Sequence, residues 1–184
     1  MKIGLKHTNY LANKIVVELN KSGLVSFNKG LENVVEIAHD MIEYNIKNEK
    51  ALEERTREII EEKKDQVDDN FIDERELFKM VKRQLAPEYN FLLNYEDRFS
   101  DLAHTILGVM MDEESIIFKV EKVRIQSIIF EAMLDYLETR FDIEDTVYEK
   151  LSKYKKKIYP GTDEYQIVFD KLYEEELRRS GGMA

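Results

Sequence analysis

Cysteine and tryptophan are both absent from this 184-residue chain, and only two prolines and seven glycines occur in it. Without cysteine there are no disulfides, no thiolate zinc or iron–sulfur sites and no thiol nucleophile. So little proline and glycine leaves few helix breakers, which points to a helical chain. No apolar run approaches the roughly 18 residues that a membrane-spanning helix needs. The N-terminal Met1-Lys2-Ile3-Gly4-Leu5-Lys6-His7 leads into no continuous apolar stretch, so a secretory signal is not expected and the cytoplasm is the expected setting. Missing too are Gly-x-x-x-x-Gly-Lys, Gly-x-Ser-x-Gly and Gly-x-Gly-x-x-Gly, and with them the common fingerprints of nucleotide, hydrolase and dinucleotide chemistry. No cofactor is implied.

What the chain has in abundance is charge. Asp, Glu, Lys and Arg make up 36% of residues and the formal net charge is −10. Residues 1–91 hold 15 basic and 18 acidic side chains, and residues 92–184 hold 13 and 20. Neither half is basic, so the broad electrostatic footprint of a nucleic-acid binder is missing.

The sequence also reads as two copies of one unit. At an offset of 91, Leu11-Ala12 and Ile15 match Leu102-Ala103 and Ile106, Phe27 matches Phe118, Ile37 matches Ile128, Glu53 matches Glu144 and Phe78 matches Phe169. A helix-start signal, Asp73-x-x-Glu76, returns as Asp163-x-x-Gln166. The expected architecture is all-α: two similar four-helix units in tandem, 1–92 and 93–184, with a short β-pair between the equivalent segments Leu24–Phe27 and Ile116–Val120.

Helix one is expected from Thr8 to just before Gly23. Helix two carries the stripe Leu31, Val34, Val35, Ala38, Met41, Ile42 and Ile46, matched by Val123, Ile125, Ile128, Ile129, Met133, Leu134 and Leu137. A more polar third helix restarts after Asn48 and after Asp142. The fourth covers Glu74 to Ala86 and Glu164 to Arg179. The ten tyrosines and nine phenylalanines read mainly as packing residues.

Three candidate sites emerge. Glu36-x-x-His39 and Asp101-x-x-His104 have the acid-x-x-His spacing of carboxylate-bridged metal bundles. At 100° per residue, however, both pairs point away from their apolar stripes, and His39 corresponds to Phe130 and His104 to Asn13 in the other copy. Lys150, Lys153, Lys155, Lys156 and Lys157, interleaved with Tyr148, Tyr154 and Tyr159, could hold phosphates and stack on bases. The same lysines also suit the end of a solvated helix. Last comes the ending Tyr159-Pro160-Gly161-Thr162-Asp163-Glu164-Tyr165, then Lys171-Leu172-Tyr173-Glu174-Glu175-Glu176-Leu177-Arg178-Arg179.

That ending, with Leu102-Ala103-His104 and Ile106, resembles the bacterial family catalogued as Domain of Unknown Function 507, closely over about 96–180 and more weakly over 5–90. The resemblance implies a small helical protein with no assigned activity, and no functional residue comes with it. Pro160-Gly161 and Tyr165 stand where that family usually has a spaced Pro-x-Gly and a Trp. The reading is a non-catalytic interaction protein, binding another protein or itself, with Tyr165, Tyr173, Glu174 and Arg178 as candidate anchors. A nucleic-acid binder using the lysines and a metal-binding helical protein stay open as alternatives.

Overall fold

The computed structural model describes residues 5–62, 73–153 and 163–179. Among them are six α-helices and one two-stranded sheet: α1 (Thr8–Ser22), β1 (Val25–Phe27), α2 (Leu31–Glu62), α3 (Glu74–Leu85), α4 (Tyr95–Asp112), β2 (Ile116–Phe118), α5 (Lys122–Ser152) and α6 (Asp163–Arg179). The chain is all-α with a short β-pair, as the sequence predicts. The order helix, strand, long helix, helix occurs twice. Both strands and both long helices start 91 residues apart, at 25 and 116 and at 31 and 122.

The helix count differs from expectation. Helices two and three of each half are one continuous helix, 32 residues long in α2 and 31 in α5. The apparent restart after Asn48 marks a change in what the core face carries: Ile42 and Ile46 give way to Glu49, Leu52, Glu53 and Thr56, all buried. No glycine or proline interrupts either stretch, so nothing in the backbone calls for a break.

Two compact units divide the chain at residues 1–130 and 131–184, a boundary that falls inside α5 rather than at the 92/93 junction of the sequence halves. In the first unit α2 packs against α1, α3 and α4. Its core includes Leu11, Ile15, Leu19, Val34, Ala38, Ile42, Leu102, Ile106 and Met110. Leu52, Leu85, Ala86 and Phe91 form a cluster of their own. In the second unit Ile143, Val147 and Tyr173 are buried together, with Leu151, Phe169 and Leu172 packed on them. Two residues expected in apolar stripes are exposed, Leu31 at 46% and Val123 at 68%. Leu31 opens α2 and Val123 is the second residue of α5, and at these helix starts the row has run off the packed surface.

Helix ends follow their local chemistry. Asp73 caps α3 by accepting from the Arg75 amide, as the Asp73-x-x-Glu76 signal implies. Asn94 caps α4 by accepting from the amides of Glu96 and Asp97. Replacing Asn94 with Ala should therefore cost about 1 kcal/mol, read as a lower urea midpoint. The α1 chain reverses through Gly23 at φ 64°, and the equivalent place after α4, 91 residues on, is held by Glu114 at φ 54°. Only glycine takes this left-handed conformation without penalty. Glu114→Gly is expected to raise stability by roughly 0.5–1 kcal/mol and Gly23→Ala to lower it by about 1 kcal/mol, a sign difference that thermal melts would resolve.

The strands pair antiparallel, Val25 with Phe118, Ser26 with Ile117 and Phe27 with Ile116. Each has the same burial order, buried, exposed, half-buried. Asn28 extends the clasp, its amide donating to the Ser115 carbonyl at 2.9 Å and its side chain to the Glu114 carbonyl at 3.2 Å.

Candidate functional site

The first unit has an open groove of about 560 Å³ between α1 and the start of α2. Asn9 and Asn13 line it from α1, and Leu31, Glu32, Val35, Glu36, His39 and Asp40 line it from α2. Residues four apart stand one above the next on a helix. α2 therefore presents two parallel rows here: Leu31, Val35 and His39, half apolar, and Glu32, Glu36 and Asp40, all acidic. The α1 row Asn9, Asn13 continues to Val17, an exposed apolar residue. Glu32 and Glu36 have no ion-pair partner among the described residues.

At one end of the groove His39, Asp40 and Glu43 bring ligand atoms within 4.8 Å of one another. His39 Nδ1 lies 3.0 Å from Asp40 Oδ1, while Glu43 is engaged by Lys47 at 2.9 Å. All three belong to α2, and Glu36 lines the groove without joining the cluster. Asp101 and His104 on α4 are exposed and enter no cluster of three ligands among the described residues. The structure thus does not gather the four sequence-predicted metal candidates into one set.

A second polar constellation has no local signature in the sequence. Arg98, near the start of α4, is 6% exposed and donates from Nη1 to Glu49 at 2.8 Å and from Nε to Asn45 at 2.6 Å. Lys82 of α3 bridges Glu49 at 3.2 Å and Glu53 at 2.8 Å. The Phe91 ring lies 4.5 Å from the Arg98 guanidinium and 5.8 Å from the Lys82 ammonium. Asn48 donates to the Tyr89 carbonyl at 2.9 Å. Glu49 and Glu53 with Lys82 and Arg98 thus tie α2, α3 and α4 together, and exposed Arg57 also reaches Glu53 at 3.7 Å.

Positions 91 residues along from Glu49, Glu53 and Lys82 are Arg140, Glu144 and Tyr173, and these also meet. Arg140 donates from Nε to the Tyr173 hydroxyl at 3.1 Å and pairs with Glu144 at 3.2 Å. Tyr173, an expected partner anchor, is therefore a buried packing residue whose hydroxyl is engaged inside the second unit. Phe169 stacks between Tyr165 and Tyr173, with centroid distances of 6.3 and 6.1 Å. Tyr165 is half-buried, whereas Glu174 and Arg178 are exposed.

Burial pushes the Tyr173 phenol above its ordinary value, more than neighbouring Arg140 pulls it back. The fold prefers the protonated phenol, so the unfolded chain gives up that proton first, near pH 10. Stability from this group is present below pH 10 and is lost as the pH climbs through the higher folded value. Urea midpoints measured upward from pH 9 should fall more steeply for the native protein than for Tyr173→Phe.

Of the lysine candidates, Lys150 is hydrogen-bonded to Glu176, which holds that carboxyl below its ordinary value, and Lys153 pairs with Glu149 at 3.7 Å. Lys155, Lys156 and Lys157 lie outside the described residues, as do Tyr154, Tyr159, Pro160 and Gly161. The Asp163 and Gln166 side chains of the second capping signal are likewise outside them.

A family model described as a protein of unknown function, DUF507, matches residues 1–182. The chain belongs to this DUF507 family. Its match is one span through both halves, so membership extends well beyond the second half that resembled the family most. No curated protein matches the sequence. No helix among the described residues of this DUF507 chain is long and apolar enough to cross a membrane.

Proposed function

We propose that this DUF507 protein is a non-catalytic interaction module that binds another protein through the α1–α2 groove. The observation that carries this reading is the groove itself: concave, floored by the exposed Leu31 and half-buried Val35, and edged by Glu32 and Glu36, which have no ion-pair partner among the described residues. The buried polar networks, by contrast, are occupied with holding helices together. Glu174 and Arg178, exposed on α6, are secondary anchors of the same kind. A bacterial cytoplasm is the setting this reading assumes.

We propose also that the chain is a tandem repeat whose halves have diverged. Supporting this are the common offset of the strands and long helices, the two left-handed residues Gly23 and Glu114, and the two polar networks at equivalent positions. The residues that line the groove differ at the equivalent positions of the second half. Position 91 from Val35 is Gln126, whose side chain donates across to the Ser100 carbonyl at 3.3 Å, and Ser100 is the counterpart of Asn9. The acidic row becomes Val123 and Ser127 at the first two positions.

A photo-crosslinking amino acid placed at Val35 tests the interaction reading in the cells the protein comes from. The expected result is a discrete protein adduct from position 35 and none from the exposed position Glu138. Equal adducts from both positions, or none from either, would count against it.

A further inference from the structure

We infer that the groove's occupant is a basic amphipathic helix of the partner, with Lys or Arg side chains along the Glu32, Glu36 and Asp40 row and apolar side chains over Leu31 and Val35. This rests on the interaction reading above and adds the partner's chemistry to it. Three observations carry it.

The first is periodicity. Both α2 rows repeat every four residues, from Leu31 to His39 and from Glu32 to Asp40, which is about 12 Å of helix at 1.5 Å per residue. A ligand helix repeats at the same interval, so three cations on one of its rows meet three carboxylates in register. An extended segment, at about 3.3 Å per residue, shares no such repeat. Helices that lie in grooves are commonly held by anchors at these intervals.

The second is charge left uncompensated. Along the rest of α2 most carboxylates are compensated, Glu43 by Lys47, Glu49 by Arg98 and Lys82, Glu53 by Lys82 and Arg57, and Glu58 and Glu62 by Arg55, with exposed Glu54 the exception. Glu32 and Glu36, by contrast, stand four residues apart with like charge and no cation among the described residues, an arrangement that repels. A basic partner removes that repulsion, and charge complementarity of this kind selects partners.

Third is the contrast within the chain. The equivalent positions 123, 126 and 127 are Val, Gln and Ser, and Gln126 bridges to α4 where the groove would open. An acidic open groove is thus not a by-product of packing the first helix on the long one.

The probe is a fluorescein-labelled alanine, leucine and lysine peptide of about 16 residues, long enough to be helical, with lysines at i, i+4 and i+8 beside leucines. Its counterpart carries glutamate at the lysine positions. Fluorescence anisotropy should show the lysine peptide binding the full chain, the glutamate peptide not binding, and added salt weakening the complex. Glu32→Lys with Glu36→Lys should weaken it at least roughly tenfold. Glu54→Lys with Glu175→Lys makes the same charge change at two exposed residues outside the groove and should leave binding within about twofold. Circular dichroism checks that both variants fold, which their exposed positions allow.

Equal loss in both variants would reduce the binding to the protein's overall negative charge and overturn the inference. A crosslink from Val35 with no peptide binding would overturn the basic helix while leaving the interaction reading intact; neither result would remove both. If light scattering found a dimer that Glu32→Lys with Glu36→Lys dissociates, and the peptide did not bind, the occupant would be a second copy of the chain.

Discussion

Glu49→Ala is expected to destabilise the protein by about 3–5 kcal/mol, measured as a loss of unfolding free energy in urea. Glu49 is 6% exposed and receives both Arg98 and Lys82. Truncation leaves Arg98 buried with only Asn45 and the Phe91 face around it. Its Nη2 already lacks a partner, so the guanidinium would lose its charged acceptor with nothing to replace it. Lys82 is less exposed to the change, because Glu53 still holds it at 2.8 Å. The reverse experiment separates the cost of breaking the pair from its net worth. Replacing both partners by apolar residues, Glu49→Leu with Arg98→Met, should recover most of the loss, since desolvating an ion pair consumes much of what its attraction supplies. A single-variant loss below about 1 kcal/mol would mean that water reaches the network.

The second large effect is expected at Leu52→Ala, with a loss of about 2–5 kcal/mol. Leu52 is fully buried on α2, and its cluster with Leu85, Ala86 and Phe91 is small, so few neighbours are available to collapse into the space. Phe91 also carries Arg98 on its face at 4.5 Å, which places the cavity next to the ionic network. The two substitutions should therefore couple. A double-mutant cycle of Leu52→Ala with Glu49→Ala is expected to depart from additivity by more than about 0.5 kcal/mol, whereas Leu52→Ala with Asn94→Ala should add.

Much of this architecture can be read from local chemistry. The end of α1 at Gly23 and the start of α3 at Asp73 fall where their stop and start residues predict, because a cap is settled within a few residues of itself. The β-pair is legible for another reason: Val25 to Phe27 and Ile116 to Phe118 are short β-prone runs at equivalent positions, flanked by turns. The continuity of α2 and α5 is less visible. A falling apolar content resembles a boundary when the residues that replace the apolar ones are charged.

The signal was nonetheless present. Ile42, Ile46, Glu49, Leu52 and Glu53 keep the helical spacing of one face, and an acid on that spacing needs a buried cation. What sequence alone could not supply was the identity of that cation, since Lys82 and Arg98 are 33 and 49 residues away from Glu49. The groove was hidden by the converse error. Leu31 fits the apolar stripe by angle, yet its exposure depends on where the neighbouring helix stops covering α2. His39 and Glu36 do lie off the core, as their angles indicate, and it is their α1 neighbours, Asn9 and Asn13, that turn a solvated face into a groove.

The central pair of the sheet sets Ser26 opposite Ile117, a residue opposite its own counterpart 91 positions on. That is the contact found on the axis of a twofold dimer, where one strand meets a copy of itself. In a dimer such a contact forms or dissolves with concentration. Here the intervening chain keeps the two strands at a fixed local concentration, so dilution does not separate them. Three residue pairs, too few to hold two molecules together, are sufficient as a clasp within one. Severing the chain between Ala86 and Asn94 would leave the clasp held by the packing of α2 on α4 and the Glu49–Arg98 pair instead of by the covalent link.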